Sequence, residues 1–275
     1  MSHFFNNIQE RKKKMKIGFL DSGLGGLTIL KEAIRKFPNE YICIADIKNS
    51  PYGLKDKKTV NQIVEQNVEY LVENDCRLIV IACNTATSVS IEYLRNKYQN
   101  RVIFIGTEPA VKPAVIYHKD KKVIVMATTL TLKEEKLEKL IESLHAQDKM
   151  ILMPMDALVG YAEKEEKINY LLAEQYIQAK LKEMDWEKIG SIVLGCTHFP
   201  IFKKEFEQYI PSHIEVIDSA EGVTNNMIRH ALELGINEKD KNSIKIITTK
   251  EDKHFRDKAL KILDIPEENV TFSKN

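Results

Sequence analysis

The chain has 275 residues, 43% hydrophobic and 29% charged, enough apolar material for one large or two medium-sized domains with an ordinary soluble surface. Its 41 basic and 40 acidic side chains leave a formal charge of +1, so no long-range field favours a polyanion or an anionic membrane surface. No apolar run approaches bilayer length, and residues 1–14 are polar and basic without the apolar segment of a secretory signal. These features predict a cytoplasmic protein with a frayed extension over residues 1–14. Its expected partner is a small molecule, with no nucleic acid and no membrane, and a homodimer is a candidate assembly.

Residues 16–20 form a short apolar run, followed by Asp21-Ser22-Gly23-Leu24-Gly25-Gly26 and a helical pattern over 27–37. A strand at 41–45 leads to the turn signal Pro51-Tyr52-Gly53 and a helix over 58–73. Further strands are predicted at 78–82, 102–105, 123–127, 150–153, 191–194 and 215–217, with helices over 132–146 and 168–184. Strands apolar on both sides, alternating with amphipathic segments, indicate doubly wound parallel sheets covered on both faces.

An internal echo refines this. Residues 78–85, Leu-Ile-Val-Ile-Ala-Cys-Asn-Thr, match residues 191–198, Ser-Ile-Val-Leu-Gly-Cys-Thr-His: strand, small residue, cysteine, two polar residues. The strands at 102–105 and 215–217 keep the same spacing from Cys83 and Cys196, and 16–22 pairs with 122–128 at a shifted offset. A similarity of this period implies two α/β halves facing each other, not a solenoid. The expectation is two pseudosymmetric flavodoxin-like domains with the active site between them. The first spans 15–106 and resumes over 218–275, and the second spans 107–217.

Of four cysteines, none forms a Cys-x-x-Cys pair or a zinc-like cluster, so neither disulfides nor a metal site is expected. Cys43 lies inside an apolar run and Cys76 has no polar constellation, so both read as core. Cys83 and Cys196 each follow an apolar strand. There, loops meet helix N-termini, ligands bind, and thiol acidity rises. Two such thiols on opposite sides of one tetrahedral carbon could take a proton from one face and return it to the other. Either cysteine alone could be a buried small residue, but the echoed pair with polar followers tells against that. A single-thiol hydrolase would leave the second cysteine idle.

Around them, Asp21 and Ser22 could orient a thiol or bind a substrate's charged groups, or simply cap a helix. Neither nucleotide-binding glycine pattern is present. The Pro51-Tyr52-Gly53 turn offers backbone amides and a hydroxyl to a carboxylate. His198, two residues after Cys196, can move a proton to that thiol. Thr128 and Thr131 follow the strand at 123–127 and could bind a carboxylate or cap a helix. Glu163 begins a charged run, Glu163-Lys164-Glu165-Glu166, whose default reading is a solvated face.

These blocks together carry a resemblance. The chain resembles the glutamate racemases, within the aspartate/glutamate racemase superfamily. The shared blocks are Gly18-Phe19-Leu20-Asp21-Ser22-Gly23-Leu24-Gly25-Gly26-Leu27-Thr28, Ala45-Asp46, Pro51-Tyr52-Gly53, Ala82-Cys83-Asn84-Thr85-Ala86, Leu194-Gly195-Cys196-Thr197-His198-Phe199-Pro200 and Ile217-Asp218-Ser219, in family order. The resemblance implies an isomerase that interconverts L- and D-glutamate by 1,1-proton transfer, supplying peptidoglycan and so cell wall and cell shape. It implies no cofactor: neither pyridoxal phosphate, metal nor nucleotide. Cys83 would deprotonate D-glutamate and Cys196 L-glutamate, with Asp21 and His198 assisting on their respective sides and Glu163 as a further acid. Implied substrate contacts are Asp21, Ser22, Tyr52, Gly53, Asn84, Thr85, Thr197 and His198, with Thr128 beside them. Rival readings are an aspartate racemase, another thiol-dependent superfamily member, or a catalytically silent binding homologue. The resemblance says little about residues 1–14 or the tail from about Lys241.

Overall fold

The side chains of Lys16–Asp21 and Cys76–Ile81 are buried on both faces almost throughout, so these strands need helical cover on both sides. The computed structural model describes residues 15–118, 120–164 and 166–274, and the expected extension over 1–14 lies outside the described residues. The strands are β1 (Lys16–Asp21), β2 (Glu40–Ala45), β3 (Cys76–Ile81), β4 (Ile103–Gly106), β5 (Lys122–Ala127), β6 (Met150–Pro154), β7 (Ile189–Leu194), β8 (Glu215–Ile217), β9 (Ser243–Thr248) and β10 (Val270–Lys274). They form two sheets, ordered β10-β9-β2-β1-β3-β4 and β6-β5-β7-β8, with every pairing parallel.

The order β2-β1-β3-β4 repeats as β6-β5-β7-β8. The likeness extends to an irregularity: the β1–β3 register shifts between Lys16 and Ile17, and the β5–β7 register between Lys122 and Val123. Alternate side chains of each strand serve opposite faces. Phe19, Cys43, Val80 and Ile246 join one core, while Leu20, Ile42, Ile44, Ile79 and Ile81 join the core on the other side of the same sheet. The second sheet divides likewise, Ile124, Met126 and Ile192 against Val123, Val125 and Val193. Cys43 and Cys76 are buried in the first pair of cores.

Three differences from the sequence expectations have physical reasons. The helix Asn84–Tyr98 was not anticipated because its Thr- and Ser-rich first turns carry little apolar periodicity; Cys83 starts it as N-cap, accepting from Ala86 N. The helix expected over 132–146 is instead Thr129–Leu132 and Glu135–Ser143, broken at Glu134, whose backbone is extended. The buried Glu134 side chain pairs with Lys57 at 3.1 Å. Strands β9 and β10 come from the charged tail and extend the first sheet beyond β2.

Strand order reverses at β1/β3 and at β5/β7, and crevices form at the carboxyl ends of such strands. Asp21 ends β1 and Cys83 follows β3, while Thr128 follows β5 and Cys196 follows β7. No helix among the described residues is long and apolar enough to cross a membrane.

If β9 is an integral part of the fold, Ile246→Ala should be costly, because Ile246 is fully buried against the helices behind the first sheet. The expected loss in denaturant unfolding is about 2–5 kcal/mol. A loss within about 0.5 kcal/mol, typical of a surface change, would contradict it.

Candidate active site

The loop after β1 can enter the crevice because two of its residues lack side chains. A Cβ on Gly23 would collide with the Glu163 carboxylate, and one on Gly25 with Thr197 and His198. The buried Asp21 carboxylate accepts from Gly23 N–H at 2.9 Å through Oδ1 and from the Thr197 hydroxyl at 3.1 Å through Oδ2. Burial raises its pKa, offset in part by the charge of His198 and the Gly23 N–H. Asp21 therefore ties the first half of the molecule to the Cys196 loop.

Cys83 and Cys196 are both nearly buried. The Cys83 thiol donates to Ser22 Oγ at 3.7 Å and accepts from Ala86 N–H at 3.4 Å. Burial, then the Asp21 charge, push its pKa up to about 12, despite the two hydrogen bonds. Cys196 is among the groups raising it, so the two sulfurs act on one another electrostatically.

On the other side, Cys196 Sγ lies 3.8 Å from His198 Nδ1, and His198 Nε2 lies 2.6 Å from Glu163 Oε1. The same Oε1 accepts Leu24 N–H at 2.6 Å. An amide can only donate, so Oε1 is an acceptor and Nε2 carries the proton. This leaves Nδ1 for the sulfur. Burial alone would lower the His198 pKa, but its hydrogen bonds to Cys196 and Glu163 raise it well above the ordinary histidine value. Cys196, His198 and Glu163 thus form a relay that holds a positive charge beside the thiol. Glu163 is mostly shielded from solvent and not the solvated face its charged run suggests.

Thr85, Thr128 and Thr131 bring three hydroxyls together, at 3.3 Å from Thr85 to each of the others and 3.0 Å between Thr128 and Thr131. Thr128 also caps the helix Thr129–Leu132. Gly53 packs against Thr128, and both border a cleft of about 360 Å³ that Tyr161 and Lys164 help to line. Asn84 Nδ2 donates to the Thr107 carbonyl at 3.4 Å, and its buried Oδ1 finds no protein partner among the described residues.

Tyr52 differs from expectation in one respect. Its hydroxyl points into the core and donates to Asp46 Oδ2 at 2.7 Å, so from this turn only the backbone amides remain for a ligand. Asp46 is wholly buried and also takes donors from Asn49, Asn67 and Thr249. Sequence reasoning noted Asp46 only within a motif and missed Asn67 and Thr249, for which an isolated Asn on a helix and a Thr after a late strand gave no signal. It also missed Leu24, which acts through its backbone.

Because the Cys83 thiol is held near 12, its thiolate fraction at pH 8 is on the order of one in ten thousand. Alkylation of Cys83 in the ligand-free protein, followed by peptide mass spectrometry, should therefore rise about tenfold per pH unit between pH 7 and 10. A plateau near pH 9 would contradict that environment.

The sequence pattern of the Asp/Glu/Hydantoin racemase family matches residues 28–226. A glutamate racemase of Halothermothrix orenii is 40% identical over 259 residues, covering 92% of this chain and 100% of the relative. Among solved structures, a glutamate racemase isoform of Bacillus anthracis shares 25% identity with a TM-score of 0.79, covering 95% of this chain and 97% of that one. A glutamate racemase of Francisella tularensis in complex with D-glutamate shares the fold, with a TM-score of 0.79 at 22% identity over 94% of this chain and 97% of that one. The relatives are amino-acid isomerases by name, and the similarity runs through both sheets. The chain belongs to the Asp/Glu/Hydantoin racemase family.

Proposed function

We propose that this protein is a glutamate racemase that works without cofactor, using Cys83 and Cys196 on opposite faces of the substrate α-carbon. The observation that carries the reading is the matched pair of thiols after β3 and β7, each with its own polar partner. The 40% identity to a glutamate racemase over nearly the whole chain supports the substrate, as does the D-glutamate complex of a protein with the same fold.

In the D-to-L direction Cys83, as thiolate, takes the α-proton, and the Cys196 thiol delivers its own proton to the opposite face. Cys83 ends as thiol and Cys196 as thiolate, and the reverse reaction exchanges the roles. His198, held charged by Glu163, stabilises the Cys196 thiolate. Cys83 meets the opposite problem, since Asp21 disfavours its thiolate. A substrate ammonium beside Asp21 would cancel that repulsion, so substrate binding itself activates Cys83. The Asn84 Oδ1 suits the same ammonium, and Ser22, Thr85 and Thr197 suit the α-carboxylate. The Tyr52 and Gly53 amides, with Thr128 beside them, suit the distal carboxylate. The lobe division 15–106 plus 218–275 against 107–217 belongs to this reading, as does a cytoplasmic role supplying D-glutamate to peptidoglycan.

With purified protein and no added cofactor, the circular dichroism of D-glutamate should decay to zero, and that of D-aspartate should not. Neither Cys83→Ser nor Cys196→Ser should racemise appreciably, because a hydroxyl is far too weak an acid to replace a thiol near neutral pH. N-hydroxyglutamate, which can eliminate after α-deprotonation, separates the half-reactions. Cys196→Ser should consume only its D form and Cys83→Ser only its L form. Either variant consuming both forms equally would show the two-thiol reading to be wrong.

A further inference from the structure

The family match ends at residue 226, yet a side chain from the tail reaches the Cys196 relay. Lys258 lies on the helix Phe255–Leu263, whose Phe255, Ala259 and Leu263 are buried in a core of the first sheet. Ile262 of the same helix packs against cores of both sheets. Lys258 is itself 4% exposed, and its Nζ donates to the Glu163 carbonyl at 3.0 Å.

Three considerations make this contact more than packing. An ammonium is costly to bury unless it is hydrogen-bonded, and an apolar side chain would fill the same place without that cost. Glu163 is the last residue of the helix Ala157–Glu163, where a carbonyl has no partner within the helix and a cation is favoured. Finally, the Glu163 carboxylate is held by two bonds of 2.6 Å to Leu24 N–H and His198 Nε2, a geometry that tolerates little backbone movement. The titratable groups facing His198 are Cys196 after β7, Glu163 at that helix end and Asp21 at the end of β1. Of these, Glu163 is tied to the tail helix through its backbone carbonyl.

We propose that Lys258 is a positioning residue: it grips the Glu163 backbone across the crevice and so holds the Glu163 carboxylate on His198. The tail helix thereby becomes part of the acid–base machinery, and the relay is complete only when the two sheets' layers are in contact. This role rests on the racemase reading for its kinetic consequence alone, because the state of His198 can be measured without substrate.

The test is the His198 titration by ¹⁵N NMR, assigned by its loss in His198→Gln, in the wild-type protein and in Lys258→Met and Lys258→Arg. Lys258→Met keeps the apolar stem and removes the donor. His198 should then lose its proton at a pH at least about one unit lower than in the wild type, since a loosened Glu163 no longer supports the imidazolium. Lys258→Arg should restore the wild-type titration. Racemisation by Lys258→Met should show kcat reduced about tenfold or more with KM little changed. A folded Lys258→Met protein with a wild-type His198 titration overturns the proposal, whatever its thermal stability. Should that variant not fold, Lys258→Leu, which also lacks a donor, is read by the same two outcomes. A wild-type protein that does not racemise glutamate, yet shows the His198 shift, would overturn the function and leave the positioning role standing.

Discussion

Polar side chains from both halves meet at the carboxyl ends of the two parallel sheets, where the Asp21–Thr197 hydrogen bond of 3.1 Å joins one half to the other. Everything else about the site depends on that closeness. It requires glycine at 23 and 25, since a side chain at either would occupy the volume of Glu163, Thr197 or His198. It buries Asp21 and leaves Cys83 and Cys196 little exposed, so neighbouring charges act there with less screening than in water. It also places a helix from the second half, ending at Glu163, against the loop of the first, through Leu24 N–H.

The two thiols sit in similar backbone positions but unlike electrostatic surroundings. Cys83 faces Asp21, which disfavours its thiolate, and Cys196 faces a histidine whose proton is held by Glu163. A pseudosymmetric fold has thus been given asymmetric polar partners. That asymmetry suits a reaction whose two directions begin from mirror-image substrates, in which the common groups, an ammonium and an α-carboxylate, can bind only one way. In the proposed mechanism a substrate ammonium would supply for Cys83 what His198 supplies for Cys196.

Much of this was legible in the sequence. Eight strands fall within two residues of the expected bounds at each end, because most are short runs apolar on both faces, too short for a helix. Cys83 and Cys196 stood out through the echo of 78–85 in 191–198. What was hidden depends on tertiary contacts. Strands β9 and β10 are interrupted by charge, and the pairing of β9 to β2 and of β10 to β9 defines them. Tyr52 drew attention as a hydroxyl near substrate, but the buried Asp46 needs donors and takes it. Glu163 lies in a run of charges that looks solvated, and its burial follows from the missing side chain at Gly23. Lys258 is one lysine among many in a charged tail, and no local pattern distinguishes it from its exposed neighbours.

The central claim is that two different groups exchange protons with opposite faces of one carbon, and the most direct measurement follows the hydrogen itself. L-glutamate carrying protium at the α-carbon is converted in D₂O, and both enantiomers are separated at early conversion and weighed by mass spectrometry. Two thiols predict D-glutamate bearing solvent deuterium while the remaining L-glutamate keeps its protium, because the acid that completes the reaction is not the base that began it. Protium retained in the early product, or deuterium entering the recovered substrate as fast as product forms, would mean that one group serves both faces, and would contradict the account.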